Sequence, residues 1–124
     1  MNEFDFRNLF GEAEEAIRLE PGNSLFEKGD AAHAMYVVRS GAIQVHDGKT
    51  VFETVGPGGV IGEMAIVDGS PRSAAARAQV ASEVIPVDQK RFLAMIERTP
   101  YFAIRIMHVL TERLRHTNAM VASR

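Results

Sequence analysis

The residues of this 124-residue chain best suited to chemistry lie in one stretch, Gly62-Glu63-Met64-Ala65-Ile66-Val67-Asp68-Gly69-Ser70-Pro71-Arg72-Ser73-Ala74. Arg72 carries a planar guanidinium, the side chain best shaped to hold two phosphate oxygens at once, and Ser73 adds a hydroxyl and an amide beside it. Residues 63–67 suit a single helical turn, whose unpaired N-terminal amides and partial positive charge favour an anion. Ala65, Ser73 and Ala74 are small enough to let a ligand come close. Glu63 runs against this pattern, because a carboxylate beside a phosphate repels it unless a donor intervenes. A sugar hydroxyl is such a donor, and phosphate with sugar is nucleotide chemistry. Neither Arg72 nor Glu63 is diagnostic alone, since most charges in loops are simply solvated. Their nine-residue spacing across GEMA and PRSA carries the signal.

The elements that must position this stretch follow from the flanking texture. Phe4, Phe6, Leu9 and Phe10, followed by GEAEEA, are weakly amphipathic and predict a short N-terminal helix within residues 1–16. From Ile17 to Val87 the chain has short runs of Val, Ile, Phe and Tyr, broken every seven to ten residues by turn clusters such as Pro21-Gly22-Asn23 and Lys28-Gly29-Asp30. That texture predicts an all-β roll, sandwich or barrel. In AIQVHDGKTVFETV two alternating strands flank Asp47-Gly48, a pair that predicts a type I′ hairpin turn. After Val87, Asp88 can cap a helix carrying Phe92, Leu93 and Ile96, and Thr99-Pro100 should end it and begin another over roughly 100–121. On that last helix Ile104, Met107, Thr111, Leu114, Asn118 and Val121 recur at spacings of three and four. Such a seam packs on the strands or pairs with a second copy, giving a homodimer, although Thr111 and Asn118 make it partly polar.

Composition narrows the function. A hydrophobic fraction of 46% with 24% charged residues is globular usage, and the length suits one domain. There is no cysteine, which removes disulfides, thiolate nucleophiles and zinc ribbons. No apolar run approaches the ~20 residues of a membrane span, and an acidic N-terminus is unlike a signal peptide, so the expected compartment is the cytoplasm with no membrane partner. Residues 1–87 hold 7 Lys/Arg against 13 Asp/Glu, and residues 88–124 hold 7 against 3. The acidic part repels nucleic acid, and the basic remainder reads as solvated helix faces. His33, His46, His108 and His116 never form a closely spaced pair, so no metal is expected. Gly48-Lys49-Thr50 ends like a P-loop, but Ile43 stands where the first glycine is required. Met64, Met95 and Met107 read as core filler. No nucleophile has a base beside it, which argues for recognition without catalysis.

The stretch resembles the phosphate-binding cassette of the cyclic-nucleotide-binding domain superfamily. The family pattern, close to F-G-E-[LM]-A followed by P-R-[AST]-A, is here Ile61-Gly62-Glu63-Met64-Ala65 and Pro71-Arg72-Ser73-Ala74. Residues 25–30 and 35–45 resemble the family's glycine-punctuated strands, and residues 112–118 resemble the bacterial catabolite activator branch, so the likeness spans nearly the whole chain. It implies a mainly β fold with α: a β-roll or jelly roll over 17–87 holding the cassette at 62–74, with a short N-terminal helix over 1–16 and two C-terminal helices over 88–124, all in a single domain.

The resemblance also implies roles. Glu63 would accept the ribose 2′-hydroxyl, Arg72 would neutralise the cyclic phosphate, and the amides of Gly62, Ala65 and Ser73 would surround sugar and phosphate. Met64 and Ala74 fall within the cassette, and Val45, Phe52 and Ile61 would wall the pocket. Thr117 would bond the adenine with Arg113 beside it, which favours cAMP. A hydroxyl directly after the arginine, as at Ser73, also occurs in members that prefer cGMP, the alternative ligand. Ile61 departs from the usual Phe, and Ala75 stands where eukaryotic members often have Thr. The implied function is a cyclic-nucleotide sensor that relays occupancy through its C-terminal helix, with no cofactor. The alternatives are the ligand-binding part of a catabolite activator-type transcription regulator, whose DNA-binding domain is not in these residues, or a member of the fold that has lost its ligand.

Overall fold

A computed structural model describes residues 5–11 and 15–122, apart from the side chains of residues 117–122. Among the described residues, eight strands and three α-helices follow a single 3-10 turn. The strands are β1 (Ile17–Leu19), β2 (Ser24–Phe26), β3 (Ala34–Ser40), β4 (Ile43–His46), β5 (Val51–Val55), β6 (Val60–Ile61), β7 (Ala75–Ala78) and β8 (Ser82–Asp88). The helices are α1 (Glu63–Asp68), α2 (Gln89–Arg98) and α3 (Tyr101–Ala122). Residues 1–89 and 90–124 form two compact units.

In the first unit the strands make two antiparallel four-stranded sheets, in the orders β1-β8-β3-β6 and β2-β7-β4-β5. This is the β-roll that the turn spacing predicts. Strands β3 and β8 form the spine of one sheet, pairing from Ala34↔Asp88 to Val38↔Val84. Their β-branched residues suit a pleated surface buried on one side. Between the sheets lies a cluster that includes Val38, Ile43, Ile61 and Val84. On β7 three alanines, Ala75, Ala76 and Ala78, are buried, and Ala76 and Ala78 belong to that cluster.

The N-terminal prediction is met only in part. A 3-10 turn spans Phe6–Leu9, capped by the Asp5 carboxylate, and residues 1–4 and 12–14 of the expected segment lie outside the described residues. Phe6 is buried, and its amide donates to Gly58 O at 2.9 Å.

The hairpin forms, but not with a two-residue type I′ turn. That turn needs positive φ at both central residues, and among the described residues only glycines, Gly48 at 100° among them, have it. The tip is instead the loop 47–50, closed by the Asp47 carboxylate accepting from the amides of Lys49 at 3.0 Å and Thr50 at 2.8 Å. An aspartate that bonds its own loop amides competes with the tighter turn. The register shifts from Val45↔Glu53 to His46↔Val51, which leaves Phe52 as the extra residue of a bulge.

In the second unit α2 ends at Arg98 and α3 begins at Tyr101, as Thr99-Pro100 predicts. Thr99 O accepts from the Phe102 amide at 2.9 Å. The rings of Phe92 and Phe102 meet edge to face with centroids 5.3 Å apart. Phe102 and Ile106 are buried, whereas Ile104, Met107 and Leu114 of the predicted seam are exposed. The core-filler reading of methionine holds only for Met95. Met107 shares the exposed face of α3, and Met64 points outward from α1 because Glu63 and Ile66 take its inner face.

Candidate functional site

The predicted cassette folds as a short helix, a loop and a small-residue strand. Gly62 precedes α1 with φ 77°, in the left-handed region where a glycine costs least. A Cβ there would also run into Nη1 of Arg72. Gly69 closes the helix from a second left-handed position, its amide donating to Ala65 O at 2.9 Å. Asp68 then bonds the Ser70 amide at 2.9 Å and leads the chain to Arg72.

Two charged residues are withdrawn from water here. Glu63 is only 2% exposed and Arg72 only 7%. The Arg72 guanidinium donates from Nη1 to Gly62 O at 3.3 Å and from Nη2 to Ala34 O at 2.6 Å. Its backbone is clamped as well: the Arg72 amide donates to Asp30 O at 2.9 Å, and Arg72 O accepts from the Gly29 amide at 2.8 Å. The turn at residues 27–30 therefore holds the cassette in place. Burial pushes the Arg72 pKa down from its ordinary value, and Tyr36, Asp30 and Glu63 oppose that shift. A guanidinium keeps its charge through such a shift, so Arg72 is a buried cation.

The other predicted residues are placed as follows. Ile61 is buried in the core cluster, and Val45 is half-buried against it. Val45 on β4 pairs with Ala76 on β7, which pairs in turn with Phe26 on β2, so one row crosses the sheet from Val45 to Phe26. Phe52, on its bulge, is 40% exposed, and Met64 is 54% exposed. Ser73 is exposed and Ala74 half-buried. The Ala65 amide donates to Gly62 O at 3.3 Å. Arg113 and Thr117 lie on α3, with the Thr117 side chain outside the described part. Sequence reasoning missed the Ala34 carbonyl, the clamp at Gly29 and Asp30, and the aromatic residues Phe26 and Tyr36 around Arg72. The only signal for these was the glycine-punctuated run through Phe26 and Gly29.

Residues 16–99, which hold the buried Glu63 and Arg72, match the cyclic nucleotide-binding domain family. This chain belongs to that family. Among its relatives is the cyclic AMP receptor protein of Thermus thermophilus, 35% identical over 107 residues, which cover 82% of this chain and 50% of that protein. A CRP-like cAMP-activated global transcriptional regulator of Mycobacterium tuberculosis is 27% identical over 82% of this chain and 47% of its own length. The crystal structure of the Thermus thermophilus catabolite activator protein superposes with a TM-score of 0.79 at 28% identity, covering 87% of this chain and 53% of that one. The chain thus spans about half the length of the curated relatives it matches. Like them it is a β-rich cyclic nucleotide-binding domain followed by helices, and no helix among the described residues is long and apolar enough to cross a membrane.

Proposed function

We propose that this cyclic nucleotide-binding domain is a cAMP sensor without catalytic activity of its own. The observation that carries the reading is the burial of Glu63 and Arg72 in one cassette: a carboxylate suited to a ribose hydroxyl and a cation suited to a cyclic phosphate, both already dehydrated. Desolvation done during folding need not be repeated on binding, and it strengthens both contacts. In this reading Gly62 and Ser73 offer amides around the sugar and phosphate, with Met64, Ala74 and Ala65, whose own amide donates to Gly62 O, beside them. Val45, Ile61 and Phe52 wall the site.

Arg113 and Thr117 meet the adenine in the family register, which ties occupancy to α3 and selects cAMP over cGMP. The Thermus and Mycobacterium relatives, a cyclic AMP receptor and a cAMP-activated regulator, support that choice of nucleotide. The exposed Ile104, Met107 and Leu114 give α3 an apolar face for a second copy of the chain. A single domain over residues 1–124, working in the cytoplasm and needing no metal or cofactor, completes the reading. A second reading, as the sensory part of a transcription regulator, is favoured by those same relatives, which are about twice as long.

The test is calorimetric titration with cAMP and cGMP of the wild-type chain and of Arg72→Ala. Losing one partner of a buried charge pair costs about 3–5 kcal/mol, or roughly a hundred- to a few-thousand-fold in affinity. Binding of cAMP by the Ala variant within about threefold of wild type would reject the assignment.

A further inference from the structure

We propose that Phe26 and Tyr36 form an aromatic seat that positions the Arg72 guanidinium, and that this seat sets how tightly the domain holds a phosphate. The inference rests on the reading above, in which Arg72 is the phosphate ligand. The guanidinium carbon lies 4.1 Å from the centroid of the Phe26 ring and 5.6 Å from that of Tyr36. The two rings stack on each other with centroids 6.2 Å apart and planes 28° from parallel. They come from opposite sheets, Phe26 from β2 and Tyr36 from β3, so the seat exists only once the roll has closed.

Hydrogen bonds alone do not hold the guanidinium. Of its five N–H donors, the two carbonyl contacts use one on each terminal nitrogen, and the buried Nε has no hydrogen-bond partner. The ring faces supply the remaining restraint by fixing the plane in which those donors lie. They also do something a carboxylate could not. Asp30 and Glu63 act on Arg72 through their charges, without a hydrogen bond to the guanidinium among the contacts above, whereas an acidic group in direct contact would orient Arg72 but cancel its charge and compete with the ligand. A ring quadrupole attracts the cation and leaves its full charge for an incoming phosphate, and the attraction grows where water is excluded.

Local geometry explains why Phe26 is available. The pairing of β2 with β7 shifts register between Ser24↔Arg77 and Phe26↔Ala76, so Leu25 is the extra residue. That bulge places Phe26 opposite the small, buried Ala76, with the Arg72 guanidinium carbon 4.1 Å from the Phe26 ring centroid.

Two measurements on the intact chain test the seat. The first is the Arg72 Nε–H resonance in ligand-free protein, assigned by its disappearance in Arg72→Lys. It should exchange slowly with solvent and be displaced by the ring current of Phe26, and in Phe26→Leu it should move to the position of exposed arginines. The second is a cAMP titration, followed by NMR for weak variants, of wild type, Phe26→Leu, Arg72→Ala and the double variant. Phe26→Leu should weaken cAMP by about two- to thirtyfold when Arg72 is present and by less than about twofold when it is not, while Phe26→Tyr, which keeps the ring face, restores wild-type affinity. Equal losses in both backgrounds would reduce Phe26 to a wall of the pocket, and tighter binding by Phe26→Leu would mean that the ring withholds the cation; either overturns the proposal. So does an Nε–H resonance unmoved by Phe26→Leu. A wild-type chain that binds neither nucleotide defeats the cAMP reading, and the Nε–H resonance then decides on the seat by itself.

Discussion

Gly62 and Arg72 are locked together across the cassette: Nη1 of Arg72 donates to Gly62 O at 3.3 Å, and the space where a Gly62 side chain would begin is taken by that same nitrogen. The glycine that starts α1 is therefore also the rest for the Arg72 guanidinium. Gly62→Ala should destabilise the fold by roughly 1–2 kcal/mol from left-handed backbone strain alone. It should also push the guanidinium off its carbonyls and weaken cAMP. Urea unfolding and titration on one preparation check both effects, and an Ala variant that keeps full affinity would show that Arg72 binds without this rest.

The proposed adenine contact at Thr117 makes nucleotide choice depend on α3. A neutral hydrogen bond contributes about 0.5–1.5 kcal/mol, so Thr117→Val should weaken cAMP by around two- to tenfold and narrow its preference over cGMP. Competition between the two nucleotides on the variant measures this directly. An unchanged ratio removes Thr117 from the site.

In the proposed reading a ligand that touches both the cassette and Thr117 would bind more tightly when α3 is in place, which would couple occupancy to helix position. Amide hydrogen exchange should slow on adding cAMP at residues 110–122 as well as at 62–74. Protection confined to the cassette would describe a domain that binds without relaying.

The hairpin loop should respond to acid in a set direction. The amides of Thr50 and Lys49 hold the Asp47 carboxyl below its ordinary value of 3.8. A carboxylate with a depressed folded-state pKa stabilises the fold fully above its unfolded value and loses that contribution as pH falls through the lower folded one. The loop should therefore be insensitive to pH near neutrality and loosen only below pH 3.8. Following the Thr50 amide by NMR checks this, with Asp47→Asn as control, and a midpoint at or above 3.8 would contradict it.

The sequence by itself determined the β-roll, the two C-terminal helices and the position of the cassette, because these rest on local physics. Turn residues recur at fixed intervals, Thr99-Pro100 interrupts the helices within one residue of the observed break, and the nine-residue spacing from Glu63 to Arg72 matches a helix and a loop, with a strand starting at Ala75. The same local reasoning missed the Asp47 loop, where a side chain competes with the turn its backbone pattern suggests. It also missed the outward faces of Met64 and Met107, since hydrophobicity does not say which side of a helix finds a neighbour. Only the tertiary structure decided what surrounds Arg72. The carbonyl of Ala34, 38 residues away, and rings from two different sheets reach it because an antiparallel roll brings distant strands together. Pairing of that kind depends on register and bulges, and a linear pattern of residue types does not encode which bulge turns Phe26 toward a cation.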